Sequence, residues 1–86
     1  MKNADKAVKP GPPRTLMQAH EELVRIRPDR DASLRAWLAY HQKSATLYAE
    51  LTEIDRGHHH ECLYWADRER RSAEEVATRI HAEGAK

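Results

Sequence analysis

The chain has 86 residues, of which 34 % are charged, with six histidines, one cysteine and a formal net charge of +1. That length holds one domain with a thin core. A single cysteine forms no disulfide within the chain, and no apolar run approaches the roughly 18 residues of a membrane span. The near-balanced charge argues against a dedicated nucleic-acid binder that works through phosphate contacts.

The charge is unevenly placed. Residues 1–14 carry Lys2, Lys6, Lys9 and Arg14 against Asp5, and the remainder is net acidic. No apolar stretch follows Met1–Lys6, so the segment is not a signal peptide. It closes on Pro10-Gly11-Pro12-Pro13, which cannot enter a helix interior, and nothing before it has an apolar face. Residues 1–14 are therefore expected to be a disordered basic tail. Its role is either none or that of a weak electrostatic arm for nucleic acid or an acidic partner.

Thr15-Leu16-Met17-Gln18 has the pattern of a capping box, a Ser/Thr cap with Glu or Gln three residues on. Leu16, Ala19, Leu23 and Ile26 follow at helical spacing, and Pro28 disfavours helix at Arg27. The first helix is predicted over 15–26. Asp29 and Asp31 suit the start of the next by capping or by complementing its dipole. Leu34, Trp37, Leu38, His41, Ser44, Tyr48, Leu51 and Ile54 then form one stripe, giving a second helix over 31–55.

Asp55-Arg56-Gly57 is the one plausible break after it, with Gly57 able to adopt the left-handed conformation that ends helices. His58 or His59, Cys62, Trp65, Ala66, Glu69, Ala73, Val76 and Ile80 make a third stripe, over 58–82. A turn at Arg56-Gly57 pairs Leu34 with Ile80, Trp37 with Val76, Ser44 with Glu69, Tyr48 with Trp65, and Leu51 with Cys62. Apolar meets apolar at four of these levels. The complementarity favours an antiparallel hairpin over one continuous rod, which a lone glycine would permit at a cost of only ~1 kcal/mol.

Ile54 through Trp65 gathers three consecutive histidines, the cysteine and two aromatics. His58, Glu61 and Cys62 share one helical face, and imidazole with thiolate suits zinc or a similar metal. A structural zinc site takes four ligands, however, and this segment offers two or three. The opposing reading is one histidine against the core and the others wet at the hairpin tip. A proton-sensing role rests on the near-neutral pKa of imidazole alone. Cys62 lies on the packing stripe, as a buried structural thiol would. His41, Ser44 and Glu69 form a polar layer of the kind that fixes register. The mixed-sign run Asp67–Arg71 reads as a solvated face. No phosphate loop, paired-cysteine motif or nucleophile elbow is present.

The block from Tyr48-Ala49-Glu50-Leu51 through Glu53–Glu61 to Leu63-Tyr64-Trp65-Ala66 resembles a family of short actinobacterial proteins of uncharacterised function. The resemblance implies a small cytoplasmic helical protein and brings no catalytic residues.

The sequence thus predicts an all-α domain over 15–83, a short helix packed on a long antiparallel hairpin. It is expected to be a non-enzymatic, cytoplasmic interaction or regulatory module with no cofactor. Its partner is another protein or a second copy of itself. The rivals are a metal- or pH-responsive regulator using the His58–Cys62 segment, and a nucleic-acid accessory protein using residues 1–14. The link Arg27–Arg30 is expected to hold the first helix over the half of the hairpin nearest the termini. That would leave the tip half bare, with an interface centred on Tyr48, Leu51, Leu63 and Trp65.

Overall fold

The computed structural model describes residues 11–84. Three helices make up the domain: α1 (Leu16–Arg25), α2 (Leu34–Ile54) and α3 (His59–Gly84), with a 3₁₀ turn, Arg56–His58, joining the last two. No strand occurs among the described residues. Most of the basic tail, residues 1–10, lies outside the described residues.

Thr15 caps α1 as its pattern predicts, the hydroxyl accepting from the Gln18 amide at 3.1 Å. The Gln18 side chain reaches one residue further back than a capping box requires and accepts from the Arg14 amide at 2.9 Å. At α2 the expected caps are displaced. Asp29 begins a turn in which its carbonyl accepts from the Ala32 amide. Ser33 is the cap, its Oγ accepting from the Ala36 amide at 3.1 Å. The helix therefore starts three residues later than the sequence reading placed it. Serine competes with aspartate for this position on nearly equal terms, and it lies closest to the first apolar residue, Leu34.

The hairpin is formed, and its register is the one the two stripes specify. Tyr48 and Trp65 stack with ring centroids 6.0 Å apart. Further toward the open end, His41 Nδ1 lies 2.6 Å from Glu69 Oε1. Ser44, expected opposite Glu69, instead donates to the Tyr40 carbonyl within its own helix at 2.8 Å. The turn needs no left-handed residue: no described glycine has positive φ. Asp55 ends α2 with φ −101° and ψ 74°, and the His58 amide bonds its carbonyl at 2.9 Å. Trp37, a core residue by its place on the stripe, is only half-buried.

The core lies toward the tip of the hairpin. Ala19 and Leu23 of α1, Tyr48 and Leu51 of α2, and Cys62 of α3 form one buried cluster, flanked by Leu16, Ile26, Tyr40, Leu47, Trp65 and Ala66. The expected placement of α1 is therefore wrong. Its first amide, at Leu16, donates to Asp55 Oδ2 at 2.8 Å at the tip. Its last turn meets Tyr40, whose hydroxyl donates to the Leu23 carbonyl at 3.0 Å. The late start of α2 explains this. Eight residues, Ile26–Ser33, separate the two helices, and that slack lets α1 reach the larger apolar floor.

Candidate interaction surface

The tip histidines are built into the turn. His58 Nδ1 lies 3.0 Å from Asp55 Oδ2, the same oxygen that takes the Leu16 amide. The two bonds hold the Asp55 carboxyl below its usual pKa, the Leu16 amide contributing most. His59 Nδ1 lies 2.9 Å from the Thr52 carbonyl, where it donates and closes the end of α2. His60 and Glu61 are exposed, and Cys62 is fully buried. Burial raises the Cys62 thiol above its ordinary pKa, the opposite of what a metal-ligating or nucleophilic thiolate requires. His58 and Cys62 share a helical sector, yet one is tied to Asp55 and the other sits in the core. Among the described residues no group of three or more His, Cys, Asp or Glu side chains is arranged to hold a metal ion.

The four residues expected at an interface fall on different surfaces. Tyr48 and Leu51 are buried at 4 % and 0 % exposure, because α1 lies over them, so they are not available on the folded chain. Trp65 is half-covered, its ring 5.2 Å from that of His20, with the Arg68 guanidinium 5.1 Å from its centre. Only Leu63 stands clear, at 47 % exposure.

The contact of α1 with the hairpin has a polar centre that the sequence did not reveal. His20 Nδ1 lies 2.7 Å from the Tyr48 hydroxyl. Burial and the nearby Glu69 charge push the Tyr48 pKa up to about 12. A histidine on the apolar face of α1, four residues from Leu16 and three from Leu23, was the signal available in the sequence.

The exposed large apolar side chains are Met17 and Val24 on α1 and Ile54, Leu63 and Tyr64 near the tip. At the other end of the hairpin, half-buried apolar side chains line two grooves. Beyond the reach of α1, the start of α2 and the end of α3 diverge around a shallow groove of about 410 Å³, lined by Arg35, Leu38, Ala77, Ile80, His81 and Gly84. A second groove, of about 420 Å³, shares Arg35, Ile80 and Gly84 and adds Ser33, Leu34 and Glu83. Leu38 is nine residues from Leu47, about two and a half turns, so the two leave α2 on opposite sides. Leu47 packs on the cluster beneath α1; Leu38 therefore faces away from it. Leu63 and Ala77, fourteen residues apart and about four turns, lie on the same flank of α3. The groove does not continue to Leu63, because between Leu63 and Ala77 the same flank carries the ion pairs of Arg70 with Asp67 and Glu74.

Nothing among known proteins adds to this geometry: no family model, curated protein or solved structure matches the chain. Among the described residues no helix is long and apolar enough to cross a membrane.

Proposed function

We propose that this protein is a non-enzymatic helical module that binds another protein through the open end of its hairpin. The observation that carries the reading is the pair of adjoining grooves at the open end, walled by half-buried Leu34, Leu38 and Ile80 and by exposed Ala77. Apolar surface left partly uncovered in this way marks an association site. The grooves are broad and shallow, which supports docking of a protein segment rather than enclosure of a small substrate. Arg35 lines both of them and is exposed. The partner segment is accordingly one with apolar side chains and a carboxylate set to meet that guanidinium.

The test is substitution on the flank away from the core. Leu38→Glu and Ile80→Glu are expected to keep the helical signal of the wild-type chain and to lose a partner that wild type retains. A partner bound equally well by wild type and both variants would place the working surface elsewhere.

A further inference from the structure

The groove that α1 fills has the features of a site for a docked helix. It meets α1 at three polar points: Asp55 takes the Leu16 amide at one end, the Tyr40 hydroxyl gives to the Leu23 carbonyl at the other, and Tyr48 meets His20 between them. Its floor is Tyr48, Leu51 and Cys62, and the residues pressed into it are Ala19 and Leu23. An amphipathic helix laid into an apolar groove by residues three, four and seven apart is a general mode of recognition between chains. With ten residues, α1 is too short to persist as a helix unless docked.

All of these contacts join α1 to the hairpin, and the link adds one, the Arg27 guanidinium 5.5 Å from the centre of the Trp37 ring. An α1 delivered by a second copy would make the same three polar bonds and bury the same residues. The link can deliver it. Its eight residues, Ile26–Ser33, reach about 26 Å when extended at ~3.3 Å each, and Pro28 biases the residue before it toward extended backbone.

The link also carries unspent charge. Asp29, Arg30 and Asp31 are exposed and make no ion pair among the described residues. Extending the link gives up the turn bond from the Ala32 amide to the Asp29 carbonyl. Two such links crossing antiparallel, with the two-fold axis between Arg30 and a neighbouring aspartate, would set Arg30 of each against that aspartate of the other. That adds two ion pairs absent from the closed chain. We infer that this protein forms a dimer by exchanging α1, each copy's groove holding the α1 of the other. The inference uses the α1 side of the hairpin and stands apart from the reading of the open end.

Cys62, the sole cysteine and part of the groove floor, allows a direct test. One chain keeps Cys62; a second carries Cys62→Ser and Ala19→Cys. The two are unfolded together, refolded at high concentration and oxidised. Both positions are fully buried, so a disulfide between the chains requires the α1 of one to be docked in the groove of the other. A covalent heterodimer is the expected product. A chain carrying Ala19→Cys beside the native Cys62 shows whether the two sulfurs meet at all. If that chain closes on itself and the mixture yields no heterodimer, the exchange is refuted. Should it fail to close, mass in solution decides. Wild type is expected to approach twice the chain mass as concentration rises, and less so for Asp29→Ser/Arg30→Ser/Asp31→Ser with Leu38 and Ile80 intact. A constant single-chain mass, or a dimer indifferent to the link charges, overturns the inference.

Discussion

Asp55 does more at this tip than its position at the end of α2 suggests. One carboxylate oxygen terminates the turn through His58 and holds the first amide of α1. Both partners stabilise the charged form, so its pKa in the folded chain lies below the ordinary 3.8. A depressed carboxyl pKa contributes stability that is fully present above the unfolded value and is lost as the pH falls through the folded one. The stability difference between wild type and Asp55→Ala is therefore expected to be constant at neutral pH. It should shrink only below about pH 4. Urea unfolding of both chains at stepped pH measures it, and a difference that persists unchanged into acid would show that Asp55 acts through packing. Tyr48 behaves in the opposite sense. Its folded pKa, about 12 against an ordinary 10, favours the neutral phenol. That contribution is complete below pH 10 and is lost as the pH rises from there toward 12. Ultraviolet titration should accordingly show a late-ionising tyrosine that Tyr48→Phe removes. The thiol of Cys62 needs no such titration to be read: buried and raised in pKa, it should react with thiol reagents only as fast as α1 opens.

At the level of the elements, local chemistry was legible where it is local. Thr15 and Gln18 mark the start of α1 because a cap involves only residues within one turn. The hairpin register could be read because apolar positions on the two long stripes pair across a turn at Arg56-Gly57, and Tyr48–Trp65 bears that out. Glu69 departs from it, meeting His41, about one turn from the expected Ser44. The turn was legible as a break but not as a conformation. Gly57 does not use its freedom, since Asp55 and the 3₁₀ turn reverse the chain with ordinary backbone angles. A Cβ at Gly57 would meet nothing within 4 Å. Gly57→Ala is therefore expected to be neutral or to stabilise by about 0.4–1 kcal/mol, by restricting the unfolded chain. A loss of more than 1 kcal/mol in thermal or urea unfolding would mean that the turn depends on glycine after all. Ser33→Ala should instead cost about 1 kcal/mol, because Ser33 alone takes the Ala36 amide; equal substitutions at Asp29 and Asp31 should cost less.

For the whole molecule, the position of α1 decides which surface is core and which is free, and this is what the sequence did not disclose. Its docking rests on ties between residues 28 and 39 positions apart, His20 with Tyr48 and Leu16 with Asp55, and no pattern within one helix announces them. A four-residue link, Arg27–Arg30, would hold α1 at the open end; the late start of α2 supplies the slack that carries it to the tip. The stability map follows from that shift. Leu51 is fully buried beneath α1, whereas Trp37 is half-buried at the margin of the open end. Leu51→Ala is expected to cost about 2–5 kcal/mol, a large share of the ~5–15 kcal/mol that holds a domain folded. Trp37→Ala should fall short of the 3–5 kcal/mol typical of a buried tryptophan, although tryptophan is the larger side chain. Urea unfolding of the two variants tests the order directly. If Trp37→Ala proves the more damaging, the open end is already covered in solution, and its apolar flank belongs to an interface rather than to solvent.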